Sequence, residues 1–159
     1  MMMLTINVSD QGTKYVLVIN SSRCRGCGLC ELVCSILHDA EANPSISRIK
    51  VMKDRENYSF KPVTCIHCVE PHCMYVCPTK AIVTEGRFGA KVIIDELCIN
   101  CGSCIKACPF TSINTVIFQH PIKGTYVKCD LCYWREEGPA CAEVCVTQAI
   151  TFRKVGKKL

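Results

Sequence analysis

Sixteen cysteines in 159 residues, sorted into four groups of four with none left over, leave this chain few ways to fold. Cys24, Cys27, Cys30 and Cys34 (CRGCGLCELVC) are spaced C-x2-C-x2-C-x3-C. Cys65, Cys68, Cys73 and Cys77 (CIHCVEPHCMYVCP) widen the middle gap to four residues. Cys98, Cys101, Cys104 and Cys108 (CINCGSCIKACP) return to the first spacing, and Cys129, Cys132, Cys141 and Cys145 open the middle gap to eight. The repeat extends beyond the thiols, through Pro-Thr-Lys-Ala-Ile (78–82), Pro-Phe-Thr-Ser-Ile (109–113) and Val-Thr-Gln-Ala-Ile (146–150). Each unit therefore reads as a cysteine loop, a short helical turn and a strand.

A thiol content of one residue in ten fits either a disulfide scaffold or a metal protein. Aromatics make up only 7%, and the 49% hydrophobic share includes the cysteines, so burial alone supplies a thin core. Something covalent must help. Met1–Asp10 (MMMLTINVSD) lacks the basic, apolar and small-residue regions of an export signal, and no twin arginine is present. Tyr15–Ile19 is far too short to span a bilayer. The expectation is a cytoplasmic protein without a membrane span, in a reducing compartment where clustered cysteines bind metal. The formal charge of +5 counts every thiol as neutral. Four iron–sulfur clusters at about −2 each would bring it to about −3. The basic residues then offset metal centres and do not mark a nucleic-acid footprint.

The third group, with Pro109 following Cys108, matches the bacterial ferredoxin run in full. Three cysteines wrap one face of a [4Fe–4S] cube, where the small Gly26, Gly28, Gly102 and Ser103 let the backbone come close. The fourth, three residues on, points away and in two-cluster ferredoxins binds the other cluster. Structural zinc uses the same ligands but usually joins two C-x2-C pairs. The three-thiol loop favours iron–sulfur clusters over zinc and over disulfides.

Between the groups, IVTEGRFGAKVIID (82–95) predicts a hairpin around Gly86–Gly89. Asn43–Pro44 predicts a turn before a strand, and the basic end (Arg153, Lys154, Lys157, Lys158) reads as a solvated tail.

The chain resembles the four-cluster ferredoxin-type iron–sulfur subunits of multi-subunit oxidoreductases. The resemblance rests on CRGCGLCELVC, CIHC, Cys-Pro-Thr-Lys-Ala-Ile and KCDLC (128–132), and spans about Lys14 to Phe152. CELVCSILHDAEANPSISRIKV (30–51) looks most like subunits that accompany aldehyde ferredoxin oxidoreductase-type tungsten enzymes. The resemblance implies an α+β fold of two ferredoxin-like dicluster modules with pseudo-two-fold symmetry. The outer module would take residues 14–60 and 125–152, and the inserted module 61–124. It further implies four [4Fe–4S] clusters. One is held by Cys24, Cys27, Cys30 and Cys145, and its module partner by Cys129, Cys132, Cys141 and Cys34. The others are held by Cys65, Cys68, Cys73 and Cys108, and by Cys98, Cys101, Cys104 and Cys77. Val146 departs from the family, many of whose members carry proline there.

By the same resemblance the chain is not an enzyme alone but relays electrons from a large tungsten- or molybdenum-pterin catalytic subunit that oxidises aldehydes. The recipient would be an FAD/NAD-binding subunit or a soluble ferredoxin. Subunits of hydrogenases, carbon monoxide dehydrogenases or formate dehydrogenases, and a free polyferredoxin, are the alternatives. No Gly-rich phosphate loop or dinucleotide fingerprint occurs, so NAD or flavin is not expected on this chain. His38, His67 and His72 lie near cysteines; with sixteen thiols already matched to clusters, they are expected to pack or hydrogen-bond around the ligands. Tyr133 and Trp134 are expected to pack over a cluster or a partner, and Arg135, Glu136 and Glu137 to form a solvated loop.

Overall fold

The structure, a computed structural model, describes residues 15–111 and 115–155. Frequent glycines, prolines and cysteine loops keep its elements short. In chain order they are β1 (Tyr15–Ile19), α1 (Leu29–Asp39), β2 (Ile49–Asp54), β3 (Ser59–Thr64), α2 (His72–Tyr75) and β4 (Ile82–Thr84). They continue with β5 (Lys91–Ile93), α3 (Ser103–Ala107), β6 (Ile117–Gln119), β7 (Tyr126–Lys128), α4 (Ala140–Glu143) and β8 (Ile150–Lys154). Each cysteine group runs into a helix and then a strand, as the repeat predicts. The mixed helix-and-strand class holds.

Proline explains where two of the helices stop. Pro78 and Pro109 follow the last cysteine of their groups and bar a longer helix. The first group has Ser35 there, and α1 runs on to Asp39. The Ser35 hydroxyl is satisfied inside the helix by donating to the Leu32 carbonyl at 3.0 Å. Asn43 caps the 3-10 turn Pro44–Ile46 by accepting from the Ser45 N–H, and this turn leads into β2 as expected.

All strands pair antiparallel in twos: β1 with β8, β2 with β3, β4 with β5 and β6 with β7. The predicted hairpin is present, with Ile82 opposite Ile93 and Thr84 opposite Lys91. Its turn is locked by the buried Glu85 carboxylate, which accepts the N–H groups of Arg87, Phe88 and Ala90 at 2.7, 2.7 and 2.9 Å. Arg153 and Lys154 are solvent-exposed, as the solvated-tail reading expects, but they are not a tail. Both lie in β8, opposite Val16 and Tyr15, because an apolar stretch near the start of the chain supplies the missing edge. Lys157 and Lys158 lie outside the described residues, as do Lys14, Ser112 and Ile113.

Helix packing sorts the groups: α1 contacts α4, and α2 contacts α3. The boundaries expected for the segment 61–124 fall within β3 at one end and within the β6–β7 hairpin at the other, where Ile117 faces Lys128.

Two contacts tie that segment to its flanks. Phe88 from the β4–β5 turn packs edge-on against Tyr15 and Phe152, with ring centroids 5.2 and 5.0 Å apart. At the end of α1, the Asp39 carboxylate receives Arg48 at 2.8 Å, Lys123 at 3.0 Å and His120 at 3.2 Å. Burial alone would raise that carboxyl, but the Arg48 and Lys123 hydrogen bonds outweigh it and bring it down to about 2. Asp39→Asn leaves the buried Arg48 guanidinium without its carboxylate and is expected to cost about 3 kcal/mol. Guanidinium unfolding, followed by fluorescence of Trp134, the single tryptophan, reads this as a lower midpoint. The wild-type chain loses the contribution as pH falls from about 4 towards about 2; the variant shows no such loss.

Candidate iron–sulfur sites

The sixteen thiols gather at four places, each drawing on more than one loop. Cys24, Cys27 and Cys30 share a cavity with Cys145, beside Arg25 and Val51. Cys65, Cys68 and Cys73 share one with Cys108, lined also by His67, Lys91 and Lys128. Cys98, Cys101 and Cys104 share one with Cys77, against Tyr126. The three spaces are of similar size, about 420, 320 and 320 Å³. The remaining four thiols, Cys34, Cys129, Cys132 and Cys141, are all buried, and Cys129, Cys34 and Cys132, together with Cys30 of the first cavity, push the Cys141 thiol further up after burial has raised it.

One backbone feature recurs in all four loops. The residue before the second cysteine takes a left-handed conformation: Gly26 (φ 68°), His67 (52°), Asn100 (59°) and Leu131 (57°). This bend turns amides toward sulfur, with His67 N–H 3.4 Å from Cys65 Sγ and Leu131 N–H 3.5 Å from Cys129 Sγ. The fourth cysteines receive the same kind of bond, Cys34 from the Arg48 N–H and Cys77 from the Ala81 N–H, both at 3.3 Å. Such bonds favour negative sulfur. Gly26 meets a second demand that the sequence did not signal. A Cβ there would lie 2.5 Å from the Phe60 ring.

The electrostatics suit a cationic occupant. Burial, then Glu31 and the neighbouring thiols Cys27 and Cys24, push the Cys30 thiol up to about 12. Cys73 rises to about 11, mainly through burial, with Cys65, Cys108 and Cys68 adding to it. Cys129 rises to about 12 through burial and then Asp130. Four thiolates so placed repel one another, and positive iron at their centre removes the penalty. The donor set and the inward amides both fit a [4Fe–4S] group.

Around the buried site, His38 bonds the Asp130 carboxylate at 3.0 Å through Nε2 and the Cys34 carbonyl at 2.8 Å through Nδ1. Burial would lower the imidazole, but bonds to Asp130, Cys132 and Cys34 push it up to about 12. Burial would likewise raise Cys34, yet His38 and the Arg48 N–H hold its thiol below the ordinary value. The supporting role expected of His38 is what its contacts describe. Trp134 stacks edge-on over this imidazole at 5.7 Å, and Tyr133 packs with Phe88 and Leu131 beside Cys129. Arg135 is a correction to the solvated-loop reading. Its guanidinium donates to the Gly138 carbonyl at 3.0 Å and pairs with Glu143 at 2.9 Å, closing the wide loop of the fourth group.

Sequence reasoning missed the buried lysines. Lys91 and Lys128 are 2% and 3% exposed, and their ammonium groups donate to backbone carbonyls, Lys91 to Gly89 and Lys128 to Lys91 and Cys129. Burial would lower the Lys128 ammonium, but the thiolates of Cys65, Cys129 and Cys73 outweigh it and hold it above the ordinary lysine value. His67 is held neutral, first by burial and then by both lysines. Nothing in the local pattern marks Lys91; Lys128 was visible only as the first letter of KCDLC.

Residues 56–155 match the 4Fe-4S dicluster domain family, and residues 21–37 a 4Fe-4S binding domain. The chain belongs to the 4Fe-4S dicluster family. Two relatives of this dicluster protein carry informative names. The polyferredoxin-like subunit of an aliphatic sulfonate oxidoreductase from Pyrococcus furiosus is 37% identical, over 81% of this chain and 70% of that one. A tetrathionate reductase subunit from Archaeoglobus fulgidus is also 37% identical, over 94% and 70%. A chain in the BamBC active site complex of benzoyl coenzyme A reductase has the same fold, with a TM-score of 0.54 and 23% identity over 91% of this chain and 78% of that one.

Gly26→Ala tests the loop geometry. Gly124, at φ 72° with nothing near its Cβ, is the control. Gly124→Ala is expected to cost about 1 kcal/mol for the left-handed backbone. Gly26→Ala adds the clash with Phe60 for a further cost of about 1–3 kcal/mol. Thermal unfolding ranks the two, and iron content falls only in the Gly26 variant.

Proposed function

We propose that this dicluster protein is the electron-transfer subunit of an oxidoreductase complex, holding four [4Fe–4S] clusters in a row. The observation that carries the reading is the exchange of fourth cysteines between loops. Cys145 joins the first loop and Cys34 the last, while Cys108 joins the second and Cys77 the third. The ligand sets are then Cys24, Cys27, Cys30 and Cys145; Cys34, Cys129, Cys132 and Cys141; Cys65, Cys68, Cys73 and Cys108; and Cys77, Cys98, Cys101 and Cys104. The pairing of α1 with α4 and of α2 with α3 supports two modules, the inner one inserted in the outer.

Neighbour relations support an order for the row. Cys30, Cys34 and Cys141 pack in one core, which joins the first two sites. Cys65 acts directly on Cys129, which joins the second to the third. Cys73, Cys77, Cys104 and Cys108 pack around another core, which joins the third to the last. Cys27 and Cys101 are exposed, one at each end of that order, while the second site is wholly buried. Bound clusters supply one-electron chemistry. The protein sets their spacing and excludes water from the middle of the row.

The partner in this reading is a catalytic subunit of the tungsten- or molybdenum-pterin class that oxidises aldehydes, and the chain works in a reducing compartment. The subunit names of the two relatives support a place in an oxidoreductase complex. Among the described residues no helix is long and apolar enough to cross a membrane. Anaerobically purified protein is expected to hold about 16 iron and 16 sulfide per chain; zinc without sulfide would overturn the cluster reading. Tungsten or molybdenum co-purifying with the native complex tests the partner. Cys24→Ser and Cys145→Ser are expected to alter one and the same EPR signal, and Cys108→Ser a different one.

A further inference from the structure

Lys128 is a buried cation that bears on two of the proposed sites. Its side chain lines the Cys65–Cys68–Cys73–Cys108 cavity, while its ammonium donates to the Cys129 carbonyl at 3.1 Å. Lys91 lines the same cavity, and its carbonyl accepts a bond from Lys128. The buried site beyond has a different character, with the Asp130 carboxylate paired to His38. At the far end, Asp95 and Glu96 are exposed just before Cys98. The other buried cations near the row, His38 and Arg48, each face a carboxylate at 3.0 and 2.8 Å, whereas Lys91 and Lys128 place two ammonium groups side by side at the Cys65 group, where solvent screens them little.

We propose that Lys128, backed by Lys91, sets the potential of the relay, making the Cys65–Cys68–Cys73–Cys108 site the one where an electron first comes to rest. The proposal builds on the four-site reading above. Reduction adds one negative charge, and a fixed ammonium beside the thiolates stabilises the reduced state more than the oxidised one. The electron comes from the adjacent site, which is oxidised by one unit as this one is reduced by one. Lys128 keeps its proton in both states. An electron held in mid-row lets a donor at one end and an acceptor at the other work at different moments.

EPR-monitored redox titration of the full chain tests this, with Cys68→Ser used to identify the wave of the site in question. Lys128→Met is expected to lower the reduced-to-oxidised ratio of that wave about tenfold at fixed poise, a downward shift of about 59 mV. Lys128→Arg should recover most of the shift, and Lys61→Met, on exposed β3, should cause none. An unmoved wave in Lys128→Met overturns the proposal, and so does an equal shift in Lys128→Arg, which would assign the effect to packing. Should Lys128→Met lose iron, Lys91→Met carries the test. A smaller downward shift supports the proposal and no shift overturns it. Iron and sulfide on the same samples separate the two readings. Wild-type protein well short of about 16 iron removes the four-site reading and this proposal with it. Full loading with an unmoved wave removes this proposal alone.

Discussion

Convergence of thiols from segments far apart in sequence is the constraint on which the rest of the structure depends. Among the described residues, four two-stranded sheets and four α-helices of 4 to 11 residues do not make a stable domain by pairing alone. Each of the three apolar cores contains buried cysteine: Cys30, Cys34 and Cys141 beside Ile49 and Ile150; Cys129 beside Phe88 and Leu131; Cys104 beside Ile82 and Ile117. The thiol-lined walls and the cores are the same surfaces. Packing that shapes a site also holds the strands behind it.

Such a design concentrates negative charge inside the protein, and the structure answers it locally. Backbone amides turn toward sulfur in the left-handed loops, His38 is fixed between Asp130 and Cys34, and Lys91 and Lys128 stand beside the thiols of the second group. Where the charge is not on sulfur, as at Asp39, the cations Arg48 and Lys123 meet it, with the His120 ring alongside. These groups are not interchangeable. An amide offers a fixed dipole, whereas a buried ammonium carries a full charge whose effect depends on the low dielectric around it.

The features legible in sequence were those written in short-range spacing. The cysteine loops, the 82–95 hairpin and the turn at Asn43 each depend on neighbours a few residues apart. Pairings across the chain were not legible. Arg153 and Lys154 read as a tail because their strand partner, Val16 and Tyr15, lies at the other end of the sequence. Lys91 opens a short strand, where a lysine normally faces solvent, and packing with the Cys65 loop, distant in sequence, makes the position interior. Gly26 was legible as a small residue in a cysteine loop, but not the contact with Phe60, 34 residues on, which also leaves no room for a side chain there.

The pairing of β1 with β8 also fixes the order in which the molecule can be completed. Residues 65–108 contain every cysteine of the Cys65 and Cys98 gatherings, so they can close while the rest of the chain is still being made. The first loop, although synthesised before them, lacks its fourth thiol until Cys145 emerges, and β1 has no partner until Ile150–Lys154 follow. Synthesis thus completes the gatherings of the second and third groups before those of the first and fourth. Four thiols, at Cys24, Cys27, Cys30 and Cys34, wait through most of translation, and that interval is when the chain is most exposed to oxygen and to the wrong metal.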